Sequence, residues 1–133
     1  MTTESREIRW ISVPLRERVE PDETVWISIA KLDASWEKNN SQYIGPGGSG
    51  PAIADRYEKF GIWLQQGEAV EIPFVGLENK EICFTNGRHR FAWLRDHGVK
   101  SMPIDVDPEI ADEMRERFGT DKRVSLCRHL NRS

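Results

Sequence analysis

The residues that put the most chemistry into the shortest stretch are Asn86, Gly87, Arg88, His89 and Arg90. Glu81 to Thr85 before them reads as a strand. The stretch from about Gly87 to His97 reads as a helix, with Asn86 as its cap and Gly98 just past its end. The first N–H groups of such a helix have no intrahelical acceptors and lie at the positive end of its dipole, so they favour an anion. Arg88, His89 and Arg90 add cationic or hydrogen-bonding groups to the same turn. Cations there oppose the dipole, at about 0.3–1 kcal/mol each unless an anion offsets it. A local conflict of this kind marks a functional site, here one for phosphate. The residues leave one alternative open, an arginine cluster paired with surface carboxylates. In a phosphoryl-transfer reading, Arg88, His89 and Arg90 are the catalytic candidates. They would stabilise developing charge, with His89 as general acid or base near neutral pH.

A second candidate lies upstream. Asn39 to Pro51 holds four glycines and two prolines, which excludes a helix or a central strand. No Lys-Ser/Thr pair follows the glycines, so this is not a P-loop. It reads either as a connector or as a nucleotide lid built from Tyr43, Gly47, Gly48 and Ser49, with Trp36 and Trp93 as candidate base-stacking groups. Asp55 and Glu58, three residues apart, could face one metal ion, although a solvated charged face is the commoner use of such a pair. His97 reads as a C-terminal helix cap and Cys83 as a core residue. Cys127 and His129 alone are weak evidence for zinc.

These residues need a scaffold. Arg9 to Val13 and Val25 to Ala30 read as strands, and Lys31 to Trp36 as a short helical turn. Ala52 to Gln66 reads as an amphipathic helix with Ile53, Tyr57, Phe60 and Leu64 inward, Pro51 at its start and Gly67 at its stop. Glu71 to Val75 and Glu81 to Thr85 read as two strands of a hairpin joined by Gly76 to Lys80. Met102 to Val106 reads as a further strand. Asp107-Pro108 opens a helix to about Phe118, with Ile110, Met114 and Phe118 inward. The expected architecture is one α+β domain over 1–118 with a small mixed sheet, followed by a basic tail over 119–133.

At 133 residues, 38% hydrophobic and 31% charged, the chain has an ordinary globular composition. Its net charge of −3 argues against a surface coated with basic residues for non-specific nucleic-acid binding. No apolar run approaches the length of a membrane span, and the first six residues do not begin a signal peptide. Two distant cysteines make neither a disulfide framework nor a CxxC motif, so a reducing cytoplasm is expected.

The run Asn-Gly-Arg-His-Arg-Phe-Ala-Trp-Leu-Arg-Asp-His-Gly-Val, with Met-Pro-Ile-Asp-Val after it, resembles the signature of the ParB/sulfiredoxin-like superfamily. The element order is similar from about Val25 to Val106, and the specific match runs from Phe84 to Val106. The resemblance implies an α+β domain in which Gly87 is the turn glycine and His89 and Arg90 contact nucleotide phosphates. Arg88 stands where sulfiredoxins carry a catalytic cysteine and partition proteins usually a glutamate. That departure argues against sulfiredoxin activity, and it does not match the partition-protein mode of metal binding. The resemblance implies a nucleotide (ATP or CTP) and Mg²⁺ as cofactors. A stand-alone domain of this size is similar to plasmid-borne fertility-inhibition members, which implies nucleotide hydrolysis (ATPase) and DNA cleavage (nuclease). The implied partners are the nucleotide, DNA and a DNA-transfer or coupling protein, with no membrane insertion. The alternative is a non-catalytic module that regulates or blocks a partner protein.

Overall fold

A computed structural model describes residues 6–13, 21–53 and 55–127. Its centre is an antiparallel pair, β3 (Glu23–Ser28) and β7 (Ser101–Val106), in register from Glu23 opposite Val106 to Ser28 opposite Ser101. All six residues of β7 are buried, because it is covered on both faces and along both edges. On its other edge, Phe74 bridges Asp105 in parallel, and the Asp105 N–H donates to the Pro73 carbonyl at 2.9 Å. That bridge joins the central pair to a hairpin, β5 (Val75–Glu78) with β6 (Glu81–Phe84). Asn79 and Lys80 form the hairpin turn, both with positive φ, as a two-residue turn between right-twisted strands requires. Gly76 to Glu78, expected in the connection, instead pair as strand.

Two short ladders flank this unit. β2 (Trp10–Ile11) pairs in parallel with β4 (Val70–Glu71), and β1 (Arg6–Glu7) pairs antiparallel with β8 (Leu126–Cys127). Among the described residues the small mixed sheet is therefore present as short two-stranded ladders, with the Phe74–Asp105 bridge between the central pair and the hairpin, rather than as one continuous sheet. Residues 119–127 return to it: Ser125 and Cys127 are buried, and Ser125 Oγ donates to the Ser101 carbonyl. Arg128, His129 and Arg132 lie outside the described residues.

Four helices cover the strands among the described residues. The first, α1 (Ile29–Trp36), begins where β3 ends, because Ser28 caps it by accepting the Lys31 N–H. The strand expected to reach Ala30 stops there for that reason. The second, α2 (Arg56–Leu64), starts later than expected. Asp55 before it has φ 69°, a left-handed conformation that interrupts the helix, and Ile53 consequently lies outside it and is exposed. Tyr57, Phe60 and Leu64 face inward as expected. The third, α3 (Arg88–Asp96), ends at Gly98 with φ 85°. A 3₁₀ turn over Pro108–Ile110 leads into α4 (Ala111–Phe118), which buries Met114 and Phe118 against β3. One core unites these layers around Trp36, Phe84 and Phe91, whose rings meet edge-on or tilted at 4.8–5.5 Å.

Candidate anion-binding cleft

Gly87 turns the chain from β6 into α3 with φ 80°. A Cβ there would stand 2.7 Å from Pro73 and 2.8 Å from Arg90 Nη2, so both backbone conformation and space require glycine. Gly87 itself occupies the cap position, and no side chain caps the helix. Asn86, expected in that role, instead accepts the Phe74 N–H at 2.8 Å and ties the turn to the hairpin.

The turn opens into a cleft of about 910 Å³. Arg56 and Lys59 of α2 line it together with Arg88 and Arg90 of α3, and Glu71 is the carboxylate among its described lining residues. The cleft is thus cationic on a chain whose net charge is −3.

The three residues that open α3 have different environments. Arg90 Nε and Nη2 are buried and have no hydrogen-bond acceptor. Burial depresses its pKa, with the Glu71 charge partly opposing the shift. Two buried guanidinium nitrogens without acceptors are costly and remain able to bind an anion. Arg88 Nη1 donates to the carbonyls of Gln42 (3.1 Å) and Pro51 (2.9 Å), which pins the side chain across the mouth of the glycine loop. Burial, then the charge of Arg56, pushes the Arg88 pKa down.

His89 is buried, and its Nε2 accepts the Ile53 N–H at 2.8 Å. A neutral ring that accepts at Nε2 carries its proton on Nδ1. Burial, then the charges of Arg88, Arg56 and Arg90, pushes its pKa down to about 4. Burial, three neighbouring cations and the Ile53 N–H together favour the neutral ring at the position where an acid–base histidine is expected.

The glycine loop is split in its placement. Its descending limb, Pro51 to Ile53, borders the cleft through Arg88 and His89. Its tip lies at the far end of α3, where the Gly47 N–H donates to Asp96 Oδ2 at 3.0 Å. Asp96 also accepts from the Tyr57 hydroxyl at 2.7 Å and from Arg95 at 2.9 Å. Burial works against this carboxylate, but hydrogen bonds from Arg95, Tyr57 and Gly47 outweigh it and hold its pKa low. Gly47, Gly48 and Ser49 are therefore not brought to Gly87. Tyr43 is committed elsewhere too: its hydroxyl donates to Asp33, its ring meets Trp36 edge-on, and Arg95 lies over it.

Neither tryptophan singled out for stacking is available. Trp36 is fully buried and donates to Gln42 Oε1. Trp93 is buried between Phe60 and the stacked ring of His97. His97 does sit at the end of α3, with Nδ1 2.7 Å from the Trp93 carbonyl. Cys83 is half-buried on the outer face of β6, where burial and then Glu78 push its thiol pKa up, so it is not a core residue. Asp55 and Glu58 are exposed, and no group of three or more metal-ligating side chains is found among the described residues.

Gln42 went unnoticed in the sequence. Its carboxamide donates to the Phe84 carbonyl and accepts the Phe84 N–H, both at 2.7 Å, so it pairs with the edge of β6 as a strand residue would. No local pattern announces such a pairing across 42 residues.

Comparison with known proteins bears on this segment. Residues 73–119 match the family model of the plasmid fertility inhibition factor. The match covers about a third of the chain and takes in the hairpin, the Gly87 turn, α3, β7 and α4. The fold is similar to the crystal structure of Oncogenic Suppression Activity Protein, a plasmid fertility inhibition factor, in its gold(I) cyanide derivative. The TM-score is 0.55 at 19% identity, over 83% of this chain and 63% of that one. The likeness at that identity concerns the fold, and this chain spans under two thirds of that protein. No curated protein matches the chain.

Proposed function

We propose that the chain is a plasmid-encoded inhibitor of DNA transfer whose working element is the Gly87 cleft, which binds the phosphate of a nucleotide. The observation that carries the reading is Arg90: two buried guanidinium nitrogens lacking acceptors, beside the glycine turn that opens α3 with no side chain capping it. The family match over residues 73–119 and the ParB/sulfiredoxin-like signature at Gly87, His89 and Arg90 support the same reading.

The cleft residues fit a phosphate group. They do not form a metal cage, since Glu71 is the carboxylate on the described walls. In this reading Arg90 and the α3 N–H groups hold the anion, Arg88 closes the mouth against the Pro51 carbonyl, and Arg56 and Lys59 draw the ligand in electrostatically. His89 stays neutral and props the loop limb. That commitment favours binding over turnover, so the domain acts by occupying or blocking a DNA-transfer protein or its DNA.

Calorimetry with ATP, CTP and inorganic phosphate, together with a plasmid-transfer assay, tests this. Arg90→Ala should weaken phosphate binding and relieve inhibition of transfer. A variant that inhibits transfer with binding lost would separate the cleft from the function. Release of phosphate by the wild-type protein that disappears in Arg90→Ala would restore the hydrolase reading.

A further inference from the structure

Trp63 lies on α2 outside the segment matched to the family. Arg56, Lys59, Phe60 and Trp63 follow one another at i, i+3, i+4 and i+7, so one stripe of the helix carries two cations and two aromatic rings. All four line the cleft that contains Gly87 and Arg90. The rings of Phe60 and Trp63 stack with centroids 6.0 Å apart and planes 29° apart. Phe60 is buried in the core, and Trp63 remains 37% exposed. The indole is thereby backed on one side while part of its surface faces solvent within the cleft. The 46% exposed Ile53 and 45% exposed Ile11 continue this apolar wall.

An exposed apolar wall is unfavourable in water unless something apolar covers it. The occupant must also carry negative charge, because four cations and one carboxylate are among the described residues that line the same space. An acyl chain would satisfy the wall and leave the cations unmatched. Inorganic phosphate would satisfy the cations and leave the indole bare. A nucleotide unit has both parts, a planar base and a phosphate joined by one sugar.

We propose that Trp63 is the base-stacking platform of the cleft, with the base on the indole and the phosphate at Arg90 and the Gly87 turn. This deepens the phosphate-binding reading above and rests on it. The nucleotide unit can come from a free nucleotide or from a single strand, and the two share the same contacts.

The test titrates wild type, Trp63→Ala, Trp63→Phe and Arg90→Ala with inorganic tripolyphosphate, the four nucleoside monophosphates and a short oligo(dT). Circular dichroism checks each fold. Trp63→Ala should bind the nucleotides or the oligonucleotide roughly 5- to 100-fold more weakly, the usual effect of losing one stacked base. Its tripolyphosphate binding should be unchanged, and Trp63→Phe should recover most of the loss. Loss confined to the monophosphates identifies a free nucleotide as the source, and loss confined to oligo(dT) identifies a strand. Nucleotide binding unaltered in Trp63→Ala but lost in Arg90→Ala overturns the platform and leaves the phosphate reading intact. Tripolyphosphate binding unaltered in Arg90→Ala overturns the phosphate reading and the platform with it.

Discussion

Ile53 donates its backbone N–H to His89 Nε2 at 2.8 Å, linking the end of the glycine loop to the first turn of α3. The bond needs an unprotonated Nε2. The folded ring has its pKa pushed from 6.5 down to about 4, so between those values the unfolded chain takes up a proton that the folded chain refuses. The stability tied to His89 is therefore complete above about pH 6.5 and declines as pH falls toward 4. Thermal unfolding followed in pH steps should show this decline. His89→Gln keeps an acceptor for Ile53 and removes the titrating ring, so its slope in that window should be shallower. Identical slopes would mean that His89 is solvated in both states.

Arg90 should show opposite effects on stability and binding. Arg90→Met keeps most of the side-chain volume and removes a buried charge whose Nε and Nη2 have no acceptors. Stability in urea should rise by about 1 kcal/mol. Phosphate affinity should fall by roughly 1.5–3 kcal/mol, the range for a charged hydrogen bond. A less stable variant would show that the guanidinium is satisfied within the folded chain itself.

Gly61 lies inside α2, where alanine would ordinarily stabilise a helix by up to about 1 kcal/mol. Here the sign should reverse. A Cβ at Gly61 would collide with Trp93 Nε1, and Trp93 is packed against Phe60 and His97. Gly61→Ala should therefore destabilise by about 1–3 kcal/mol through overpacking between α2 and α3. The midpoint of denaturant unfolding reads the sign directly.

Asp96 gathers the Gly47 N–H, the Tyr57 hydroxyl and the Arg95 guanidinium at one carboxylate. Asp96→Ala removes the acceptor of all three and should cost roughly 1–3 kcal/mol. Hydrogen exchange offers a sharper test. The Gly47 amide should be protected in the ligand-free wild type and exchange freely in the variant. Rapid exchange in both would mean that the loop tip is open in solution, as a lid would be.

The elements around the cleft are written locally. Gly87 at a positive φ, α3 from Arg88 to Asp96, its stop at Gly98, the strand before Asp107 and the inward stripe of α4 all follow from turn chemistry and periodicity within a few residues. Such signals act over one or two turns of chain, so a sequence carries them without knowledge of the fold. The expectation of a phosphate site in this segment arises the same way, since it rests on cations placed against a helix dipole.

What each of those cations does was decided by residues far away in sequence. His89 became a buried acceptor because Ile53, 36 residues earlier, is folded onto it. Arg88 became a strut because the carbonyls of Gln42 and Pro51 converge on it. Arg90 alone of the three kept buried nitrogens with no acceptor. The aromatic residues were sorted the same way: core closure took Trp36 and Trp93, and Trp63 was left partly exposed at the cleft. Periodicity identifies an amphipathic helix, but it does not say which neighbour covers each flank. That assignment depends on contacts between elements, and only the packed chain determines them.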